Sequence, residues 1–278
     1  MAIYTFSLAV GYKLGGMDYA QGYRARMLRG FSQPIYYIFM DLPGRREVCI
    51  YKGIGIPVVQ MVSIHQYFTD NRTLNLAVKT KDKLEELKKI LYYTTAEYHG
   101  KEVWLIKEGF VIASILLDEE DEDYFYAIRY FNHGNLIRME NYTEGISYVD
   151  YYVTATSEQG AYAKLVRRTF YNRDGSSAYD EIFEDEKEWY VFPDGRVYTK
   201  QQFIVEFIKK LNLSKQDIVL LDRSVLFGFM QPLFQFGNKA RFIAVIHAGH
   251  YFETGEDPSA LYVSQQIKVP VSCTNTAN

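Results

Sequence analysis

Residues 3–41, IYTFSLAVGYKLGGMDYAQGYRARMLRGFSQPIYYIFMD, indicate the fold class. Apolar runs of strand length at 3–10 and 35–41 predict two short strands. Between them, Asp18 is suited to begin a helix as its N-cap, and Gly30 is suited to end it. One face of that predicted helix carries Ala20, Tyr23 and Met27. A strand, a helix and a strand in this order predict a parallel βαβ unit.

The same pattern returns near the end of the chain. Thr199 and Gln202 form a capping box at the start of a predicted helix. The apolar runs DIVLLD at 217–222 and RFIAVIH at 241–247 then predict two more buried strands. These elements fit the same α/β arrangement as the beginning of the chain.

The middle of the chain has a different pattern. Residues 58–69 predict a short helix, and residues 81–92 predict an amphipathic helix with leucines on one face. From about 101 to 198, short aromatic and β-branched runs alternate with turn signals, which predicts an antiparallel meander. The turn signals are Glu108-Gly109, His133-Gly134, Asp174-Gly175 and Asp194-Gly195. The acidic run at 118–123 is predicted to be a solvated loop.

Together these patterns predict an α/β protein with an inserted antiparallel β-meander. One Rossmann-like domain is formed by residues 1–45 and 199–254, and a β-rich insertion at 46–198 interrupts it. Residues 255–278 show no clear helical face and contain Pro270 in their one strand-like run. We therefore expect an atypical tail after residue 254.

Composition excludes some classes of function. The net charge of −3 argues against non-specific nucleic-acid binding, because phosphate neutralisation needs a basic surface. The two cysteines lie far apart and no signal peptide is evident, so we expect a reducing, cytoplasmic compartment. Residues 2–10 are apolar but too short to span a membrane. The 25 tyrosines and 18 phenylalanines suit pleated sheet surfaces and interfaces.

The glycines between the first strand and helix have two interpretations. Gly11, Gly15 and Gly16 would let the backbone approach a ligand, and the following helix N-terminus favours an anion. The spacing is neither G-x-G-x-x-G nor a P-loop, since no G-K-[ST] follows. A tight turn without a ligand therefore stays an open alternative.

Other candidate side chains follow predicted strands of the α/β part. Asp222 and Arg223 end one strand, and they either face a cleft or cap the next helix. His247 and His250 follow another strand, where each either hydrogen-bonds a sugar or phosphate or is satisfied within its loop. Because no third ligand is evident beside these histidines, we expect no metal site.

Several long blocks resemble one known family. The opening residues, the segment 167–203, DIVLLDRS at 217–224 and AVIHAGHYFE at 244–253 agree with it in order and spacing over about residues 2–253. The chain is similar to the catalytic glycosyltransferase encoded in accessory Sec loci of Gram-positive bacteria. That family attaches N-acetylglucosamine to Ser/Thr of serine-rich repeat adhesins. Wall teichoic acid α-N-acetylglucosaminyltransferases are more distant relatives of similar design.

The resemblance implies a retaining GT-B enzyme with UDP-GlcNAc as donor and no metal or cofactor. Gly15 and Gly16 would lie near the donor diphosphate and acceptor, and His247 would be the active-site histidine. The inserted meander would contact the adhesin acceptor and a homologous non-catalytic glycosyltransferase subunit. We expect a cytoplasmic location, and peripheral contact with the membrane stays an open alternative.

One feature of the family is missing from the sequence. The family's second domain supplies an Arg/Lys pair for the diphosphate and an E-x7-E pair, and all of these positions lie beyond the end of this chain. We therefore expect the N-terminal part of the enzyme, incomplete on its own, because a diphosphate leaving group needs cations or dipoles. Two alternatives stay open: a non-catalytic module that binds the acceptor or a partner subunit, and a fragment of a teichoic acid glycosyltransferase.

Overall fold

A computed structural model describes residues 1–7, 15–185, 187–222 and 239–245 of the chain. Within these residues a five-stranded parallel sheet and a ten-stranded antiparallel sheet account for the strands, which confirms the mixed α/β class. The helices are α1 (Gly16–Leu28), α2 (Arg45–Ile54), α3 (Thr80–Leu91) and α4 (Lys200–Leu211). The parallel strands are β1 (Ile3–Ser7), β2 (Ile35–Phe39), β3 (Met61–Ser63), β14 (Ile218–Leu221) and β15 (Arg241–Ala244).

The antiparallel sheet is a meander, as the turn signals predict. Its ten described strands pair in sequence order, each with its neighbour along the chain. They are β4 (Thr95–His99), β5 (Glu102–Lys107), β6 (Phe110–Leu117), β7 (Phe125–Asn132), β8 (Asn135–Tyr142), β9 (Ile146–Ser157), β10 (Gly160–Tyr171), β11 (Ser177–Glu184), β12 (Lys187–Val191) and β13 (Val197–Thr199). Positive φ at both residues of Glu108-Gly109 and His133-Gly134 matches the twist that a two-residue hairpin requires.

The parallel sheet has the order β15-β14-β1-β2-β3 among the described strands. The predicted helix over 58–69 is wrong, because β3 lies there between two short 3-10 turns and pairs in parallel with β2. Pro57 has extended backbone, and the β-branched Val62 favours a strand over a helix within Met61–Ser63. The parallel sheet thus takes a strand from the range 46–198 that we assigned to the insertion, and the division into domains stays a prediction.

Helix α1 buries a different face from the predicted one. Tyr23 and Met27 are exposed, whereas Gln21, Gly22 and Ala25 are buried. A Cβ on Gly22 would lie 2.6 Å from the Ile54 carbonyl oxygen of α2, so the two helices touch through backbone. Close helix packing therefore selects the face with small residues, and the large apolar side chains lie on the outer face.

The acidic run at 118–123 is only in part the predicted solvated loop. Asp118 is 3% exposed and accepts two hydrogen bonds from Arg45, at 2.7 and 2.9 Å. Glu120 accepts a hydrogen bond of 2.8 Å from Lys52. Both cations belong to α2, so the run joins this helix to the meander through a charge-assisted, bidentate contact.

One aromatic core joins the two sheets, with His65 at its centre. The rings of Phe170, Tyr190 and Phe203 lie 5.9, 6.1 and 6.0 Å from the His65 ring. The Tyr179 hydroxyl donates a hydrogen bond of 2.7 Å to the His65 carbonyl oxygen. Burial, with the nearby Arg168 charge, lowers the pKa of the His65 imidazole to about 3. This histidine is therefore neutral in the folded protein.

We expect His65 to make the fold less stable in mild acid. Below pH 6.5 the unfolded chain takes up a proton that the folded chain excludes, so the free energy of unfolding falls as the pH falls towards 3. Between pH 7 and pH 5 this loss is about 2 kcal/mol. Urea denaturation at both pH values should show that His65→Gln lacks this contribution and that His99→Gln, at an exposed site, keeps it. An equal pH dependence in His65→Gln and the wild type would contradict the assignment.

Candidate functional site

The exposed N-terminus of α1 lies at the carboxyl edge of the parallel sheet. The N-cap of the helix is Gly15, with extended backbone, and not the predicted Asp18, which lies in the first turn; the Gly15 N–H donates a hydrogen bond of 2.8 Å to the Asp18 carboxylate. The Asp18 N–H in turn donates to the Gly15 carbonyl oxygen at 3.1 Å. Asp18 is 4% exposed, whereas Gly15 and Gly16 are exposed. These two hydrogen bonds fix the start of α1, and Gly15 and Gly16 are exposed there.

Neither exposed glycine is required by the local packing. A Cβ on Gly16 would meet no described atom within 4 Å, and a Cβ on Gly15 would meet only the Asp18 carboxylate, at 3.7 Å. The φ of Gly15 is −103°, which any residue adopts. The described residues therefore leave room for a ligand to approach the helix N-terminus at these glycines, and the choice between a ligand loop and a tight turn stays a prediction.

Asp222 lies at the same edge, immediately after β14. Its N–H donates to the Phe6 carbonyl oxygen at 3.2 Å, so it continues the parallel ladder beside β1. Its side chain is fully buried, accepts a hydrogen bond from the Gln21 amide and forms an ion pair with Arg24. The described contacts of Asp222 thus fasten α1 to the sheet, and its predicted role in a ligand cleft stays a prediction.

Gln21 and Arg24 were not predicted from the sequence. The predicted face of α1 was defined by apolar residues, whereas the residues of the buried face are polar or small. Two features of the sequence identify this face. Asp18, Gln21 and Ala25 recur at helical spacing around Gly22, and a carboxylate, Asp222, directly follows a distant apolar strand. The polar side chains of this buried face meet Asp222, which accepts a hydrogen bond from Gln21 and forms an ion pair with Arg24.

The remaining predicted side chains are not described. Gly11, Arg223, His247 and His250 lie outside the residues that the structure describes. Within the described ranges, no group of three His, Cys, Asp or Glu side chains could hold a metal ion. No helix in those ranges is long and apolar enough to cross a membrane.

Comparisons with known proteins agree with this architecture. Residues 94–194 match the model of the GtfA extended beta-sheet domain, which covers β4 to β12 of the meander. A UDP-N-acetylglucosamine--peptide N-acetylglucosaminyltransferase GtfA subunit of Streptococcus gordonii is 32% identical over 256 residues, 91% of this chain and 49% of the relative. The chain is similar to the N-terminal half of GtfA subunits.

Solved structures support the relationship to GtfA. A GtfA/B complex and the pneumococcal O-GlcNAc transferase GtfA in complex with UDP and GlcNAc match with TM-scores of 0.79 and 0.77. Each is 30% identical, and each match covers 92% of this chain and 50% of the solved chain. The chain therefore spans about half the length of the GtfA relatives that it matches. The predicted family resemblance is confirmed.

We expect Asp222→Asn to loosen the α1 edge. The substitution leaves the half-buried Arg24 without its charge partner, at a cost of up to about 3 kcal/mol of unfolding free energy. Urea denaturation measures this change. Asp194→Asn is the matched control, because the Asp194–Arg196 pair is exposed and should leave stability unchanged. Equal stability of the two variants would show that the buried pair does not hold the helix.

Proposed function

We propose that this chain is the N-terminal part of a retaining GT-B glycosyltransferase that transfers N-acetylglucosamine from UDP-GlcNAc to Ser/Thr of a serine-rich adhesin. The observation that carries the proposal is the outward-facing Gly15-Gly16 pair at the N-terminus of α1. The names of the GtfA relatives support the donor and the peptide acceptor. In this proposal the parallel sheet is the Rossmann-like sheet of the first GT-B domain.

The helix N-terminus suits a leaving group with concentrated negative charge. The N–H groups at the start of a helix and the helix dipole stabilise an anion, and Gly15 and Gly16 leave room for one there. Asp222 keeps α1 in place through Gln21 and Arg24. We assign His247 as the active-site histidine that lines the cleft at the donor sugar, with no metal or other cofactor.

Two further residues belong to this proposed edge. Arg223 directly follows Asp222, and His250 lies three residues after His247, beyond β15. Carboxyl ends of parallel strands meet at one edge of a sheet, so these side chains would line the same cleft as Gly15. Because the GtfA relatives are about twice as long, we propose that this chain forms one wall of the donor site.

The meander supplies the proposed interaction surface. Residues 152–157 of β9 and 160–165 of β10 pair only with each other among the described strands, so this ribbon projects from the sheet. Val153 and Tyr162 are 47% and 48% exposed on it. We propose that the ribbon contacts the adhesin acceptor and a homologous non-catalytic glycosyltransferase subunit, in the cytoplasm and with peripheral membrane contact.

The ribbon also favours the second candidate function, a binding module without catalysis. An exposed two-stranded ribbon with few charges is suited to a protein partner whether or not a donor binds elsewhere. A teichoic acid acceptor is the weaker alternative, because the relatives that match at 30% identity or more are named as peptide transferases or GtfA.

Donor titration separates these functions. The wild-type chain should bind UDP-GlcNAc in isothermal titration calorimetry, and Gly16→Val should weaken binding at least tenfold, because the β-branched side chain blocks approach to the helix N-terminus. Gly30→Val is the matched control, since a Cβ there also meets no described atom within 4 Å but lies beyond the other end of α1.

Binding of a serine-rich repeat peptide without UDP-GlcNAc affinity would favour the binding module. Equal UDP-GlcNAc affinity in Gly16→Val and Gly30→Val would contradict the donor site at Gly15-Gly16.

A further inference from the structure

A second concave site lies away from the α1 edge. It is a cavity of about 550 Å³ between the last turn of α4, the 3-10 turn Gln66–Phe68 and two hairpin turns of the meander. The loop that follows α4 contacts the other end of the parallel sheet, where Asp217 accepts a hydrogen bond of 2.7 Å from the Ala2 N–H. The cavity is therefore distinct from the Gly15-Gly16 site, and it has a volume typical of small-ligand sites.

The floor of the cavity is aromatic and firmly packed. Phe68 lies edge-on to Tyr67 and Phe192, with ring centroids 5.9 and 5.7 Å apart. The Phe68 ring also packs 4.4 Å from Phe203 in the core that joins the two sheets. Ala178 completes the apolar lining. Such a floor is preformed, so a ligand would bind without reordering it.

Each of the three aromatic rings carries one cation at the cavity wall. The guanidinium carbon of Arg72 lies 4.5 Å from the Tyr67 ring, and that of Arg196 lies 5.0 Å from the Phe192 ring. The Lys210 ammonium lies 5.9 Å from the Phe68 ring. Contact with a ring face favours a cation and limits its freedom. The Arg72 Nε also donates a hydrogen bond of 3.1 Å to the Thr69 carbonyl oxygen.

The charge of the cavity is not balanced by the described protein. Asp194 is the one carboxylate of the lining, and it pairs with Arg196 at 2.7 Å. No described carboxylate forms an ion pair with Arg72 or Lys210. Three cations and one carboxylate give the lining a net charge of +2. A dianion with an apolar or ring-shaped body would complement both the charge and the floor.

We propose that this cavity binds a small sugar phosphate. The phosphate, with a charge near −2 at neutral pH, would be held by Arg72 and Lys210. The apolar face of the sugar ring would lie on Phe68 and Phe192, and the amide and hydroxyl of Asn172 and Ser177 at the rim suit its hydroxyl groups.

The probe for this site is glucose 6-phosphate, titrated calorimetrically into the 278-residue chain. Glucose 6-phosphate should bind, glucose should give no detectable heat, and inorganic phosphate should bind at least fivefold more weakly. Arg72→Gln combined with Lys210→Gln should weaken glucose 6-phosphate binding at least tenfold. Lys209→Gln is the matched control in the same helical turn, because Lys209 pairs with Glu206 at 2.8 Å and does not line the cavity. Circular dichroism melts verify that all variants fold.

Three results would overturn the proposal: no binding of glucose 6-phosphate, unchanged binding in the double variant, or equal affinity for inorganic phosphate. Gly16→Val separates this site from the donor site. It should keep glucose 6-phosphate affinity whatever its effect on UDP-GlcNAc, and loss of glucose 6-phosphate binding in Gly16→Val would place the ligand at α1 instead.

Discussion

The stacking of Phe203 between the two sheets is the contact on which the rest of the structure depends. Its ring lies 4.0 Å from Tyr190 and 4.4 Å from Phe68, while Phe207 on the same helix face packs edge-on to Phe6 of β1. Helix α4 thus buries one apolar face against the meander and the parallel sheet together. Buried rings of this size contribute much of the favourable free energy of a core. The meander is therefore an integral part of the fold and shares its core.

This shared core also determines where the candidate site forms. Helix α4 leads into β14, which pairs with β1 from Ile218 to Leu221, and the ladder continues to Asp222. The carboxylate of Asp222 then holds α1 through Gln21 and Arg24. Residues some 200 positions apart in sequence thus meet at one edge, as the Gln21–Asp222 separation of 201 shows. The orientation of the Gly15-Gly16 helix start depends on this chain of contacts.

Much of the fold could be predicted because its signals are local. Apolar runs identified β1, β2, β14 and β15, and the Thr199–Gln202 capping box is present with both of its hydrogen bonds. Turn dipeptides that end in a glycine with positive φ marked four hairpins of the meander. Helix α2 and strand β3 were not predicted. Both are short, and packing against α1 and β2 determines their structure more than their local sequence does. The buried face of α1 was assigned wrongly because small and polar residues, rather than apolar ones, make the close contact at Gly22.

The candidate site could be predicted only in part, for the same reason. The sequence predicts that Gly15 and Gly16 precede a helix and that Asp222 ends a strand. The partners of Asp222 could not be predicted, because they lie on a distant helix whose orientation only tertiary packing determines. The cavity lined by aromatic and cationic side chains could not be predicted either, since Arg72, Arg196 and Lys210 come from three separate segments.

Native-state hydrogen exchange in increasing urea tests whether the aromatic core makes the two sheets one cooperative unit. Amides of β1 and β14 should open with the same free energy and the same urea dependence as amides of β10, β11 and β12. If β10 to β12 keep their protection after β1 and β14 have exchanged, the two sheets fold independently and the shared core does not hold them together.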